Sequence, residues 1–232
     1  MIELSIALER GEFSLELAVA SPARALALFG PSGCGKTSTL LAIAGLLQPR
    51  RGRIVIDGRV LFDSATDVDV PTARRNLGMV FQDARLFPHL DVRENLRYGM
   101  ARKATATVFD DVVQLLDLPA LLKRKPGQLS GGQIRRVAIG RALLRQPHAL
   151  LLDEPLANLH REAREEVLEH LRGLKRGLAL TTILVSHQPE EVVALADSVA
   201  RIEDGRLVAL DGIGVFRASL RPLDMPASRA TG

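Results

Sequence analysis

Apolar and polar residues alternate along residues 2–8 and 13–19, and Gly11 interrupts them, a period of two that predicts an N-terminal β-hairpin. Ala25-Leu26-Ala27-Leu28-Phe29 is apolar throughout, as a strand buried on both faces requires. Thr39-Leu40-Leu41-Ala42-Ile43-Ala44 predicts a helix that stops at Gly45, and Pro49–Gly52 ends that segment. Arg53–Ile56 and Arg59–Phe62 flank Asp57-Gly58 and predict a second hairpin. Residues 63–76 are polar, a loop with a short turn that leaves Arg74 and Arg75 on the surface. Gly78-Met79-Val80-Phe81 is a short strand that ends at Gln82. From Asp83 the pattern turns helical, with Val108, Val112, Leu115 and Leu116 at helical spacing, until Pro126-Gly127 ends it. Residues 83–135 therefore predict a small helical subdomain.

A helix follows through Ile134, Val137, Ala138, Ala142 and Leu143 to Pro147. Ala149-Leu150-Leu151-Leu152 predicts a buried strand, closed by Asp153-Glu154-Pro155. Residues 161–176 form a charged helix with Val167, Leu168 and Leu171 turned inward. Leu180–Val185 is another strand, ending at Ser186-His187, and 199–211 is a hairpin around Asp204-Gly205. The stretch from Arg217 is rich in Pro, Ser and Arg and predicts a frayed tail over 217–232. Alternating strands and helices of this kind make an α/β chain.

Composition narrows the partners. The 232 residues are 47% hydrophobic and 25% charged, ordinary for a globular chain. No run of about 18 uncharged apolar residues appears, and the N-terminus lacks a basic region followed by an apolar core. Those features, with the single cysteine Cys34, set the expectation of a reducing cytoplasmic setting. A net charge of +4 and a pI near 9.7 suit an anionic ligand or surface. Aromatic residues are 3% with no Trp, which argues against a base-stacking platform and against nucleic acid as partner.

Chemistry begins at Gly30-Pro31-Ser32-Gly33-Cys34-Gly35-Lys36-Thr37, which fits the phosphate-binding pattern G-x-x-x-x-G-K-[ST] between the apolar strand and the apolar helix. Glycines admit phosphate oxygens close to backbone N–H groups, and the helix N-terminus adds its positive dipole end. Lys36 can reach β- and γ-phosphates, and the Thr37 hydroxyl can ligate Mg²⁺, with Ser38 next in the same turn. Asp153 and Glu154 close a buried strand, at the edge where open α/β sheets bind ligands. Asp153 is expected to hold Mg²⁺, directly or through water, and Glu154 to act as general base on the attacking water. His187 ends another strand and can donate to the γ-phosphate, while Gln82 can complete the Mg²⁺ shell or position water. Phe13 can stack on a base or pack in the sheet. Leu129-Ser130-Gly131-Gly132-Gln133 bares the amides of a second helix N-terminus, a second anion site that makes sense if it meets phosphate held by another copy.

In this order and spacing, the phosphate loop, Gln82, Leu129–Gln133, Leu150–Glu154 and His187 resemble the ATPase subunit of an ABC transporter along essentially the whole chain. The resemblance implies a P-loop NTPase core, a mainly parallel sheet flanked by helices, with an N-terminal antiparallel β subdomain and an inserted helical subdomain. It implies one ABC-type ATP-binding domain over 1–232, with core 1–82 and 136–216. It implies ATP and Mg²⁺ as cofactors and a head-to-tail homodimer, each phosphate loop facing the other copy's Leu129–Gln133. Glu154 is then the catalytic base, His187 the γ-phosphate sensor, Phe13 the adenine-stacking residue and Gln82 the link to membrane permease subunits. The implied location is the cytoplasmic face of the membrane, with a periplasmic binding protein as an indirect partner.

The stretches Val80–His89 and Asn95–Met100 resemble the ATPases of molybdate importers more than those of sugar or amino-acid importers. The permease is expected to meet the chain there, near residues 82–100. Two departures stand out. His160 occupies the place of the Asp that usually ends the D-loop, and feedback by an oxyanion bound to a C-terminal β-domain, common in molybdate-importer ATPases, is not expected in this subunit. The alternatives are another ABC system (sulfate, another importer or an exporter) or a non-transport ABC ATPase. Against the last stand the interval of about 90 residues between phosphate loop and Ser130, without heptads or Cys clusters, and the single cassette.

Overall fold

Eleven strands join in one sheet in a computed structural model that describes residues 1–11, 13–101 and 105–220. The first hairpin forms as the alternation predicts, β1 (Ile2–Arg10) against β2 (Phe13–Ser21), antiparallel with Ile2 opposite Ser21. Alternate residues of β1 and β2 (Leu4, Ile6, Leu15, Leu17) turn into the core. Next come β3 (Ala25–Phe29) and α1 (Lys36–Ala44), then β4 (Arg51–Ile56) and β5 (Arg59–Asp63), joined at Asp57 and Gly58, both at positive φ as a two-residue hairpin turn needs. The chain continues through β6 (Val68–Asp69), α2 (Thr72–Arg75) and β7 (Leu77–Val80).

Helices α3 (Val92–Gly99) and α4 (Ala106–Leu115) follow, then 3-10 turns at Pro119–Leu121 and Pro126–Gln128, and α5 (Gly131–Leu144). The last third is β8 (Ala149–Asp153), α6 (Arg161–Gly177), β9 (Thr181–Ser186), α7 (Pro189–Leu195), β10 (Ser198–Glu203), β11 (Arg206–Gly212) and α8 (Ile213–Ser219).

Strand order is β6-β5-β4-β1-β2-β11-β10-β3-β9-β8-β7. From β10 to β7 the neighbours are parallel, whereas β1, β2, β4, β5 and β6 pair antiparallel with one another; β11 joins the two parts, parallel to β2 and antiparallel to β10. Parallel strands read as continuous apolar runs because their two faces feed two cores. Leu150 and Leu152 of β8, with Leu184 of β9, enter a core shared with α3 to α7, while Ala149, Leu151, Ile183 and Val185 join α1 and the N-terminal strands. The consequence for function is geometric: β3, β7, β8 and β9 all end at one edge.

Four details differ from the pattern reading. Arg75 is buried, not on the surface: its guanidinium donates to the carbonyls of Ala42, Ile43 and Val70 and pairs with Asp69. In α4 the buried residues are Phe109, Val112 and Val113, with Leu116 just beyond, while Val108 is partly covered and Leu115 is exposed. Two buried stripes fit this helix, and tertiary packing chooses between them. A boundary at 135 falls inside the uninterrupted helix α5. Residues 217–219 belong to α8, which buries Phe216 edge-on against Phe29, so they are helical, not frayed; 221–232 lie outside the described residues.

Candidate functional site

The phosphate loop leaves β3 at Gly30 and enters α1 at Gly35. A Cβ on Gly30 would lie 2.0 Å from the Ile202 carbonyl oxygen, so only glycine lets the loop pass under β10. Gly35 has φ 102, in the left-handed region, and a Cβ there would lie 2.9 Å from the Phe13 ring. The first-turn amides of α1, including those of Thr37 and Ser38, have no helical partner and are ready donors to an anion. Lys36 is buried, and its ammonium donates to the carbonyls of Gly30 at 2.8 Å and Pro31 at 2.7 Å. The lysine is thus folded into its own loop, and a phosphate would compete with two carbonyls for its protons.

Around this loop lies a cleft of about 530 Å³. Ser32, Gly33, Gly35, Lys36, Thr37 and Ser38 line it, with Phe13 from β2, Gln82 from beyond β7 and Glu154 from beyond β8. Pro31 is exposed beside the cleft, whereas Cys34 lies beneath the loop, its Sγ 3.0 Å from where a Gly30 Cβ would be and packed into the core of α1. A larger cavity of about 780 Å³ between α6, α7 and α8 contains none of the predicted residues. Of its cations, Arg172 and Arg176 pair with Glu169 and Lys175 with Asp197. The smaller cleft is the one that gathers the predicted residues.

Asp153 ends β8 inside the molecule, and its carboxylate accepts from the Thr37 hydroxyl at 3.0 Å. Burial pushes the Asp153 carboxyl above the usual carboxylate range and neighbouring Glu154 adds to this, while Thr37, Lys36 and Arg135 pull the other way. A buried carboxylate under that penalty, bonded to a hydroxyl that lines the same cleft as the Gln82 amide, makes a hard-oxygen set that fits Mg²⁺. Among the described residues no cluster of three His, Cys, Asp or Glu side chains could cage a metal. The set therefore suits a cation that shares its shell with phosphate oxygens.

Glu154 leaves the strand at φ 45, left-handed for a non-glycine residue, at a cost of about 1 kcal/mol. Its amide still donates to the Val185 carbonyl at 3.0 Å, which holds the turn to β9. The left-handed turn brings the Glu154 carboxylate to His187, whose Nδ1 lies 2.9 Å from Oε1. With Nδ1–H given to Glu154, a neutral His187 ring has no proton on Nε2. Donation to a phosphate then needs the imidazolium, or release from Glu154.

Leu129–Gln133 is elsewhere: none of the five lines the cleft. Ser130 is the N-cap of α5, where its Oγ accepts from the Gln133 amide at 3.2 Å and its own amide donates to Gln133 Oε1 at 3.0 Å. Gln133 is thereby committed to the cap, whereas Ser130 and Gly131 face solvent. Pattern reading missed two buried groups beside the site. Arg135 donates to the carbonyls of Phe81 and Gln82, both at 2.7 Å, and Glu191 is buried next to His187. Both share a helix face with apolar residues, Arg135 with Ile139 and Glu191 with Leu195, and a charge at such a position is the signal that finds them.

Comparison with known proteins agrees with the geometry. The ABC transporter family profile matches residues 15–157. The chain is 50% identical over 210 residues to the molybdenum import ATP-binding protein ModC of Salmonella typhi, covering 90% of this chain and 59% of that one. It is 46% identical over 235 residues to the protein of the same name from Rhodospirillum rubrum, covering 100% of this chain and 64% of the relative. The chain thus spans about three-fifths of the length of these relatives. Among solved structures, the dimeric ATP-binding cassette MJ0796 in a post-hydrolysis state bound to ADP and Pi matches with a TM-score of 0.74 at 26% identity, over 92% of this chain and 99% of that one. The cbiO1 subunit of the Clostridium perfringens cbiONQ transporter shares the fold, with a TM-score of 0.80 at 24% identity over 94% of this chain and 90% of that one. Phosphate loop, strand-end carboxylates and these likenesses together establish that the chain belongs to the ABC transporter family.

Proposed function

We propose that the chain hydrolyses ATP to drive import of an oxyanion, molybdate foremost, through a separate membrane permease. The observation that carries this is the meeting of Lys36, Thr37, Asp153 and Glu154 at one sheet edge, with His187 bonded to Glu154. In this reading the α1 amides and Lys36 bind the phosphates of ATP, and Phe13 on the cleft rim takes the adenine. Thr37 and Asp153 hold Mg²⁺ with Gln82, and the metal when bound neutralises charge on the phosphate oxygens. Glu154 takes a proton from the attacking water on the carboxylate oxygen that His187 leaves free, and His187 then senses the γ-phosphate.

Ser130 and Gly131 complete the site of a second copy, a reading supported by their exposure away from the chain's own cleft and by the dimeric state of a related cassette. The segment from Asp83 up to the start of α5 acts as a helical subdomain, and the surface near 82–100 meets the permease, which is served in turn by a periplasmic binding protein. No helix among the described residues is long and apolar enough to cross a membrane. In this reading the chain works at the cytoplasmic face of the membrane as a peripheral subunit, because its partner is a permease. The choice of molybdate is supported by the relatives named for molybdenum import.

The test is Glu154→Gln. Turnover should fall about a hundredfold or more while ATP still binds, and a variant that keeps its turnover rejects the general-base role. For the substrate, ATPase activity of the chain reconstituted with its permease and binding protein should rise with molybdate. A rise with sulfate alone would point to another oxyanion system.

A further inference from the structure

Glu191 is 2% exposed in α7, under the turn that carries His187. A carboxyl placed there needs partners, and it has two. The Ser186 hydroxyl donates to Oε2 at 2.8 Å, and Arg164 of α6 donates from Nη2 to Oε1 at 3.2 Å. Ser186 Oγ also accepts from the Gln188 amide at 2.9 Å. Its single proton goes to Glu191, since the competing Gln188 carbonyl is 3.5 Å away. Both neighbours of His187 are therefore tied to one buried carboxyl, Ser186 directly and Gln188 through the serine. Burial pushes the Glu191 carboxyl above its usual range, with the Ser186 bond, Arg164 and His187 pulling down and Glu154 pushing up. A well-packed apolar side chain of similar volume would avoid that penalty, so fold stability alone does not account for an acid here.

We propose that Glu191 is a positioning residue for His187: through Ser186 and Arg164 it fixes the turn from Ser186 to Gln188 so that Nδ1 of His187 meets Glu154. Arg164 carries the link onward. It sits one turn into α6, directly after the loop of Leu156–His160, so the anchor joins the start of that helix to the histidine. The Arg164 amide donates to the His160 carbonyl at 2.9 Å, which ties the first turn of α6 to the end of that loop. A displacement of that loop by a second copy would reach His187 through Arg164 and Glu191. The inference rests on the ATPase reading above.

A double-mutant cycle between Glu191→Gln and His187→Ala tests it. Gln keeps the shape but has one oxygen where two are needed. Glu191→Gln should lower kcat about tenfold and leave ATP affinity within about twofold; in the His187→Ala background it should cost nothing more. Losses that multiply in the double variant overturn the proposal. If Glu191→Gln does not fold, Ser186→Ala, which cuts the hydroxyl link alone, carries the same cycle. A second readout does not need turnover: ¹⁵N spectra of the imidazole, assigned by difference from His187→Ala. His187 should be the Nδ1–H tautomer in the parent chain and a mixture of tautomers in either variant. An unchanged tautomer in both overturns the proposal. If the parent chain shows no ATP hydrolysis, the ATPase reading fails, and the tautomer result still decides the role of Glu191.

Discussion

Asp153 is held at a cost that stability does not reward. Its carboxyl keeps a proton to higher pH in the fold than in the unfolded chain, chiefly because it is buried. Stability therefore falls as pH rises across that window, and the penalty remains in full at neutral pH. Asp153→Asn should raise the melting temperature of nucleotide-free protein in EDTA at pH 7, by about 2–4 °C for each kcal/mol recovered. The gain should shrink as pH drops into the acid range where Asp153 is protonated, and Mg²⁺-dependent turnover should fall about a hundredfold. An unchanged or lowered melting temperature at pH 7 would mean that burial of the charge is compensated. Cys34 shows the same dependence on surroundings. At 4% exposure it lies under the loop, not in the cradle. Iodoacetamide should react slowly with the native protein and faster as urea is added, and ATP should slow the reaction by holding the loop closed. Rapid labelling of native protein would show that the loop opens readily.

Helix α1 depends on a residue far along the chain. Its last carbonyls, those of Ala42 and Ile43, are exposed acceptors in any isolated helix. Arg75 satisfies both at 2.7 and 2.8 Å, and its remaining donors go to Val70 and Asp69. One buried guanidinium so fastens α1 to the segment that leads into β7 and Gln82. Arg75→Met should lower stability by on the order of 3 kcal/mol, because it strands the buried Ile43 carbonyl and unpairs Val70 and Asp69, while Ala42 keeps only the Gly45 amide. Urea denaturation measures this, and a midpoint within error of the parent would show that water replaces the arginine. Helices α1 and α5 were legible in the chain because an apolar run bounded by Gly or Ser fixes a helix locally, and α6 because Val167, Leu168 and Leu171 recur at helical spacing among charges. Arg75 was not legible: it sits in a polar stretch, and only the packing of α2 on α1 gives it acceptors.

At the scale of the molecule, the position of Leu129–Gln133 outside the chain's own cleft decides what a working site must contain. If Ser130 and Gly131 complete a second copy's site, Lys36→Ala and Gly131→Asp should each abolish turnover alone. An equimolar mixture should regain part of it, because half of a mixed pair carries one sound phosphate loop facing one sound Ser130–Gly132 segment. Sedimentation of Glu154→Gln with ATP should show a dimer that disperses when ATP is removed. A mixture that stays inactive, with each variant still folded and the lysine intact in one, would reject completion of the site by a second copy.

The chain by itself determined the phosphate loop, the buried strands with their carboxylates and the capped helix at Ser130. Each is a local pattern in which backbone freedom, apolar period or a capping side chain acts within a few residues. The parallel pairing of β3, β7, β8 and β9 was the decision of tertiary structure, and it brings Lys36, Gln82, Asp153, Glu154 and His187 to one edge. The left-handed turn at Glu154 and the burial of Arg75, Arg135 and Glu191 came from the same source. Charged groups enter a core only where partners distant in sequence lower the cost of removing them from water, and distance in sequence is what a local pattern cannot report.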